Sequence, residues 1–210
     1  MYEPVHFRVE DRAALAAFVR AHALGLLVIA RDGRASADAI PFIFEDCEPV
    51  GRLRAHVARA NPLWREADGR EALVVFRGPD HYVSPGWYPS KAEHGKVVPT
   101  WNYAMVQGRG LVRIHDSKGW VRGQIDDLTS EHERNSAKPW AVDDAPASYI
   151  EGQVAAIVGV EIELTELKGK FKVSQNRPEQ DRVSVEAALA QRGDQMDALA
   201  LMPSLKEPDA

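Results

Sequence analysis

Apolar residues near the start of the chain follow the helical period. After Asp11, the residues Leu15, Phe18 and Val19 fall at i, i+3 and i+4, which predicts a short helix capped by Asp11 and finished before Gly25. The period then changes to that of extended structure. Residues 26–29 form a continuous apolar run closed by Asp32-Gly33, and a second run covers 40–44, the pattern of a hairpin. Over 52–57 the sequence alternates, with Leu53, Ala55 and Val57 on one face and Arg52, Arg54 and His56 on the other. A third strand with a basic face is the result. Asn61-Pro62 supplies a cap and a first-turn proline for a brief helix through Leu63 and Trp64. Residues 71–76 read as the next strand, expected to stop at Gly78-Pro79.

Between 78 and 99 proline and glycine are dense, with Tyr82, Trp87 and Tyr88 among them, which predicts an ordered loop pinned by aromatic anchors. Extended structure resumes over 101–114, where Gly108 and Gly110 suit a bulge or a sharp bend. A helix is expected from Asp116 or Ser117, burying Trp120, Val121, Ile125 and Leu128. A second, capped by Asp144, turns Tyr149, Ile150, Val154 and Ile157 inward and stops at Gly159. Val160, Ile162 and Leu164 alternate with polar residues, so a late strand returns to the sheet, closed by a basic segment over 168–177. A last helix around Val185, Ala188 and Leu189 ends at Gly193. Neither repeats nor a low-complexity linker interrupts this pattern, so one domain over 1–193 with a tail over 194–210 is the expectation.

Composition narrows the classes. Across 210 residues, 45% hydrophobic and 27% charged side chains describe a globular chain and exclude collagen-like or disordered sequence. No apolar stretch approaches the roughly 20 residues of a membrane span, and the cytoplasm is the default address. A lone cysteine, Cys47, provides neither an internal disulfide nor a thiolate metal cluster. The formal charge of -5 gives the molecule no overall cationic field, so DNA binding would need a local patch.

Several familiar chemistries fail on their spacing. His132-Glu133 lacks the second histidine of a metalloprotease helix, Ser84 lacks a glycine-flanked elbow, and Gly108-Arg109-Gly110 is followed by a strand where a dinucleotide fingerprint demands a helix. Three segments are more informative. In His56-Val57-Ala58-Arg59-Ala60-Asn61-Pro62 a basic strand face runs into a helix start, a combination of cations and free amides that suits a phosphate or a solvated edge equally. Lys170 and Lys172 share a strand face, and the following Ser174-Gln175-Asn176-Arg177 either reads the edge of a heteroaromatic ring or ties off a loop. In Val98-Pro99-Thr100-Trp101-Asn102-Tyr103, aromatics alternate with an amide on a strand.

These segments, with Ile40-Pro41-Phe42, Gly78-Pro79, Tyr82-Val83-Ser84-Pro85, Trp87-Tyr88 and Asp144-Ala145-Pro146, carry a family resemblance over residues 1 to about 190. The chain resembles the FMN-binding negative transcriptional regulators of the PaiB type. That resemblance implies an α+β, mainly β fold, a split β-barrel of the pyridoxamine-phosphate-oxidase-like type with peripheral helices. It further implies a homodimer with FMN at the subunit interface. Carried onto this sequence, it assigns Arg59 with His56 to the FMN phosphate, Pro41 and Phe42 to the ring, and Asn61 to the cofactor site. Trp101 and Asn102 then border the ribityl chain or ring, and Lys170, Lys172, Gln175 and Arg177 approach the same flavin from the partner subunit. The sequence departs from the family pattern at Gln107-Gly108, where a histidine is expected.

Two functions follow from the resemblance. One is a flavin-linked regulator of gene expression, acting directly or through a partner; the other is a small FMN-dependent oxidoreductase without DNA contact. No helix-turn-helix with a basic recognition helix is evident, which weighs against direct DNA binding. Haem binding would require an axial histidine, and His81, His94 and His115 carry no supporting motif.

Overall fold

A computed structural model describes residues 1–192. Its strands are β1 (Arg8–Val9), β2 (Leu24–Arg31), β3 (Arg34–Pro41), β4 (Ile43–Glu45), β5 (Arg52–Ala58), β6 (Glu71–Val83), β7 (Thr100–His115) and β8 (Ile157–Lys172). The helices are α1 (Arg12–Ala21), α2 (Leu63–Ala67), α3 (Ser90–His94), α4 (Lys118–Glu133), α5 (Ala147–Ala155) and α6 (Glu179–Gln191). Together they form a mainly antiparallel sheet in the order β3-β2-β6-β7-β8-β5-β4, with β1 paired to β8. The chain divides into two compact units, one of Met1–Ala21, Arg77–Val106 and the chain from Lys168, the other of His22–Phe76 and Gln107–Leu167.

In the second unit, β2 and β3 form the predicted hairpin, in register from Leu24 opposite Pro41 to Arg31 opposite Arg34. Asp32 and Gly33 both have positive φ, +50° and +76°, as a two-residue turn matched to the strand twist requires. β5 buries Leu53, Ala55 and Val57 as the alternation predicts and pairs with β8 from Arg52 opposite Glu163 to Ala58 opposite Ile157. Its basic face is covered by α4. Arg54 reaches Asp127 at 2.7 Å, and Nδ1 of His56 lies 2.7 Å from Oε1 of the buried Gln124. α4 and α5 share a small apolar cluster of Val121, Val142, Ile150 and Val154.

In the first unit the carboxylate of Asp11 accepts the N–H of Ala13 at 2.9 Å and caps α1. Leu15, Phe18 and Val19 are buried, with the Phe18 ring 4.9 Å from that of Phe171 on β8. A second cluster joins Val83 and Tyr88 to Val185 and Leu189 of α6, and Trp87 and Val97 pack against it.

Four elements depart from the sequence-based expectation. β6 does not stop at Gly78-Pro79 but continues to Val83, because proline's fixed φ is compatible with extended backbone and its missing N–H matters only where a neighbour needs a donor. The stretch over 78–99 is therefore less loop than expected and also holds a 3-10 turn, Pro85–Trp87, and α3. Asp144 does not cap α5. It closes a separate short turn by accepting the N–H of Ala141 at 2.8 Å, and α5 begins after Pro146, which suits a helix start but not a helix interior. Tyr149 faces solvent, and α5 ends at Ala155, so Ile157 and Gly159 belong to β8 and not to the helix. The basic segment does not follow the last strand but forms its end, since β8 continues to Lys172. The expected stop at Gly193 and the tail lie outside the described residues.

Candidate functional site

Arg59 follows the last residue of β5, and its backbone N–H bonds to the carbonyl of Ala156 at 2.8 Å. Its guanidinium makes four hydrogen bonds: two to the carboxylate of Asp116, one to the carbonyl of Ala155 at 2.8 Å and one to that of Ile157 at 3.1 Å. The paired Asp116 raises the arginine pKa, and Arg59 in turn lowers that of Asp116. Asn61 accepts the N–H of Leu63 at 2.9 Å, capping α2, and donates to Asp38 at 3.3 Å. Pro41 is exposed at the end of β3, whereas Phe42 is buried with its ring edge-on to Phe76 at 5.9 Å. In the second unit, then, the polar groups of His56, Arg59 and Asn61 already have protein partners.

The first unit places the remaining sequence-derived residues on neighbouring segments. Asn102 on β7 is buried, and its amide group brackets the hydroxyl of Ser174, donating at 3.0 Å and accepting at 3.1 Å. Ser174 has a positive φ of +67°, which costs a non-glycine residue about 1 kcal/mol or more and is tolerated where a side-chain bond holds it. Gln175 uses both ends of its amide on the turn itself, accepting from Val173 N–H at 2.8 Å and donating to the carbonyl of Phe171. Of the two alternatives open for this amide, the observed bonds are those of a loop tie.

Lys170, Lys172 and Arg177 are left with different partners. The ammonium of Lys170 lies 5.4 Å from the ring centres of both Tyr2 and Tyr103. Lys172 is half-buried and donates to the hydroxyl of Thr100 and, at 2.7 Å, to the carbonyl of Trp101. Burial, followed by the charges of Lys170 and Arg177, lowers its pKa below the ordinary 10.5. The guanidinium of Arg177 lies 4.9 Å from the ring centre of Tyr88. Beside them Trp101 is 52% exposed and meets Tyr82, 45% exposed, in an edge-to-face contact at 6.0 Å.

Mutual proximity sets this group apart, since the charges of Lys170 and Arg177 both act on Lys172. Arg52, Arg54, Arg59, Arg109, Arg113 and Arg122 each lie within 4.0 Å of a carboxylate. Among the described residues Lys170, Lys172 and Arg177 make no such pair. Three neighbouring cations without a carboxylate, near the exposed side chains of Tyr2 and Trp101, have the chemistry to hold an anion, and such a donor set is compatible with FMN. Sequence reasoning missed Tyr88 and Thr100 as parts of this group, since both are brought to it by the pairing of distant segments. Among the described residues no cluster of His, Cys, Asp or Glu could hold a metal ion, and no helix is long and apolar enough to cross a membrane.

Comparison with known proteins identifies the fold and the family. Among solved structures, the FAD and haem binding protein of Mycobacterium smegmatis superposes with a TM-score of 0.57 at 18% identity, covering 79% of this chain and 73% of that one. The flavocytochrome Anf3 of Azotobacter vinelandii gives 0.58 at 12% identity, covering 79% and 69%. The fold is thus the split β-barrel of this class, an antiparallel sheet with peripheral helices. Residues 1–166 match the family described as "Putative FMN-binding domain". An uncharacterized protein of Emericella nidulans is 38% identical over 179 residues, 70% of this chain and 71% of that protein. The protease synthase and sporulation protein PAI 2 of Bacillus subtilis is 29% identical over 186 residues, 88% and 87%. The chain belongs to the PaiB-type FMN-binding family, and FMN is its cofactor.

Proposed function

We propose that the chain is an FMN-dependent redox protein that holds the flavin at Lys170, Lys172 and Arg177 beside Trp101, and that it influences gene expression through this flavin or a partner protein instead of by gripping DNA. The observation that carries this reading is the clustering of three cations that act on one another with no carboxylate among them, whereas Arg59 is bonded to Asp116. FMN bound there supplies hydride or electron transfer, and the cations favour its reduced, negatively charged form. A regulatory role is supported by the name of the Bacillus relative, which refers to protease synthesis and sporulation. Neutralised arginines and a net charge of -5 favour an indirect route. FMN should bind at least about tenfold tighter than riboflavin. Mixed duplex DNA should give no binding at micromolar protein in about 150 mM salt. Equal affinity for the two flavins would refute the role of the cluster, and tight DNA binding would refute the indirect route.

Lys172 gives this reading a pH dependence. Its pKa is lowered in the folded chain, so between that lowered value and 10.5 the folded state holds fewer protons than the unfolded, and flavin-free stability rises with pH in this window. An anionic ligand works the other way by favouring the charged amine. FMN affinity should therefore fall as pH rises toward 10.5, with the fall setting in at lower pH than for an ordinary lysine, and Lys172→Met should flatten it. Fluorescence titration across this range checks both; a flat wild-type profile would remove Lys172 from the site.

A homodimer formed through β2 and β3 is part of this proposal. The outward side chains of β2 are Leu24, Leu26, Val28 and Ala30, and their register partners on β3 are Pro41, Ala39, Ala37 and Ala35. Leu24 is 66% and Leu26 42% exposed, and Val75 and Leu73 of β6 lie opposite Leu26 and Val28. Soluble monomers rarely leave so continuous an apolar sheet face in water, and a second copy offers the same apolar surface. Sedimentation should give twice the chain mass, and Leu26→Glu should shift it toward the monomer. A monomeric wild type would refute the dimer.

A further inference from the structure

We propose that Tyr88 is a positioning residue that holds Arg177 in the cationic cluster through the face of its ring; this rests on reading that cluster as the FMN site. The ring is itself fixed. Tyr88 is buried and packs with Val83, Val185 and Leu189. The segment around it is anchored by Ser90, which donates its backbone N–H at 3.2 Å and its hydroxyl at 2.7 Å to Asp181, a buried carboxylate in the first turn of α6. The backbone of Arg177 is fixed from the other side, since its N–H bonds to the carbonyl of Ser174 at 2.9 Å in the turn held by Asn102.

Between these two fixed points the guanidinium is located by its approach to the ring, 4.9 Å from the ring centre. No carboxylate lies within ion-pair distance of Arg177 among the described residues. The buried Tyr88 hydroxyl reaches no partner at full hydrogen-bond distance, and what Arg177 donates toward it is the weakest influence on the phenol, so the ring face is the main contact. Burial raises the phenol pKa, with the push of Asp181 and against the charge and a weak hydrogen bond of Arg177, so the ring remains neutral and attracts the cation by its quadrupole. A guanidinium held by its face keeps its in-plane N–H groups available to an anion. Arg59 is the contrasting case, because its guanidinium is already bonded to Asp116 and two carbonyls.

The test replaces Tyr88 by Phe and by Phe analogues carrying one, two and three ring fluorines, which weaken the ring quadrupole with little change of shape. FMN affinity is measured by flavin fluorescence in the wild-type and Arg177→Met backgrounds. Tyr88→Phe should bind FMN within about twofold of wild type, and successive fluorines should weaken binding stepwise to about three- to tenfold. In the Arg177→Met background the series should be flat. A flat series with Arg177 present overturns the proposal, as does an equal decline in both backgrounds, which is the signature of a purely structural ring. If Arg177→Met itself leaves FMN affinity unchanged, the reading of the cluster as the FMN site fails, and the positioning role falls with it.

Discussion

Lys172→Met and Arg177→Met should each weaken FMN binding by about tenfold or more and lower the reduction potential of the bound flavin, with the fold unchanged by circular dichroism. A charge-assisted hydrogen bond to an anion contributes about 1.5–3 kcal/mol, and each 1.4 kcal/mol is tenfold in affinity. Methionine retains the aliphatic length while removing the charge, so packing beside Trp101 is disturbed little. Reduced FMN is the more negative form and therefore loses more than oxidised FMN when a cation is removed. Each extra tenfold of that loss lowers a two-electron potential by about 30 mV. Removing Lys172 also relieves repulsion among the three cations, so the flavin-free protein should be no less stable. Spectroelectrochemical titration of the two variants checks the direction. An unchanged or raised potential, together with wild-type affinity, would return both residues to an ordinary solvated strand end.

Gly110→Ala should be among the most damaging small substitutions, removing a large part of the protein's stability. A Cβ at this position would lie 2.1 Å from the carbonyl oxygen of Glu163 and 2.9 Å from the side chain of Ile162. The obstacle at Glu163 is backbone on β8, so no rotamer change relieves it, and β7 would have to move away from its neighbour. Overpacking typically costs about 1–3 kcal/mol, and a clash with backbone lies at the upper end, against a total stability of roughly 5–15 kcal/mol. Gly33 provides the contrast. A Cβ there has no neighbour within 4 Å, so Gly33→Ala meets only the strain of its φ of +76°. Thermal melts of the two variants should show a much larger drop for Gly110→Ala; equal drops would contradict the close approach of β7 and β8.

Elements whose signals are local were legible in the sequence. The alternation over 52–57 buried Leu53, Ala55 and Val57, Asp32-Gly33 made the tight turn, Asp11 capped α1 and Asn61 capped α2, because each depends on residues within a few positions of one another. The resemblance in ordered blocks was likewise sufficient for the family and its flavin. What sequence did not decide is which polar side chains are already bonded within the protein. Arg59 and Lys172 are equally cationic on paper, yet Asp116 and two carbonyls bond the guanidinium of one, while the other meets only neutral acceptors and two like charges. The same holds for the amides: Asn102 is taken by Ser174 and Gln175 by its own turn, although their spacing suited a ring edge equally well. Charge and hydrogen-bonding capacity are written in the residue type. Whether they remain available to a ligand depends on partners far away in the chain, such as Asp116 for Arg59 or Tyr88 for Arg177, and only strand pairing and helix packing bring those within reach.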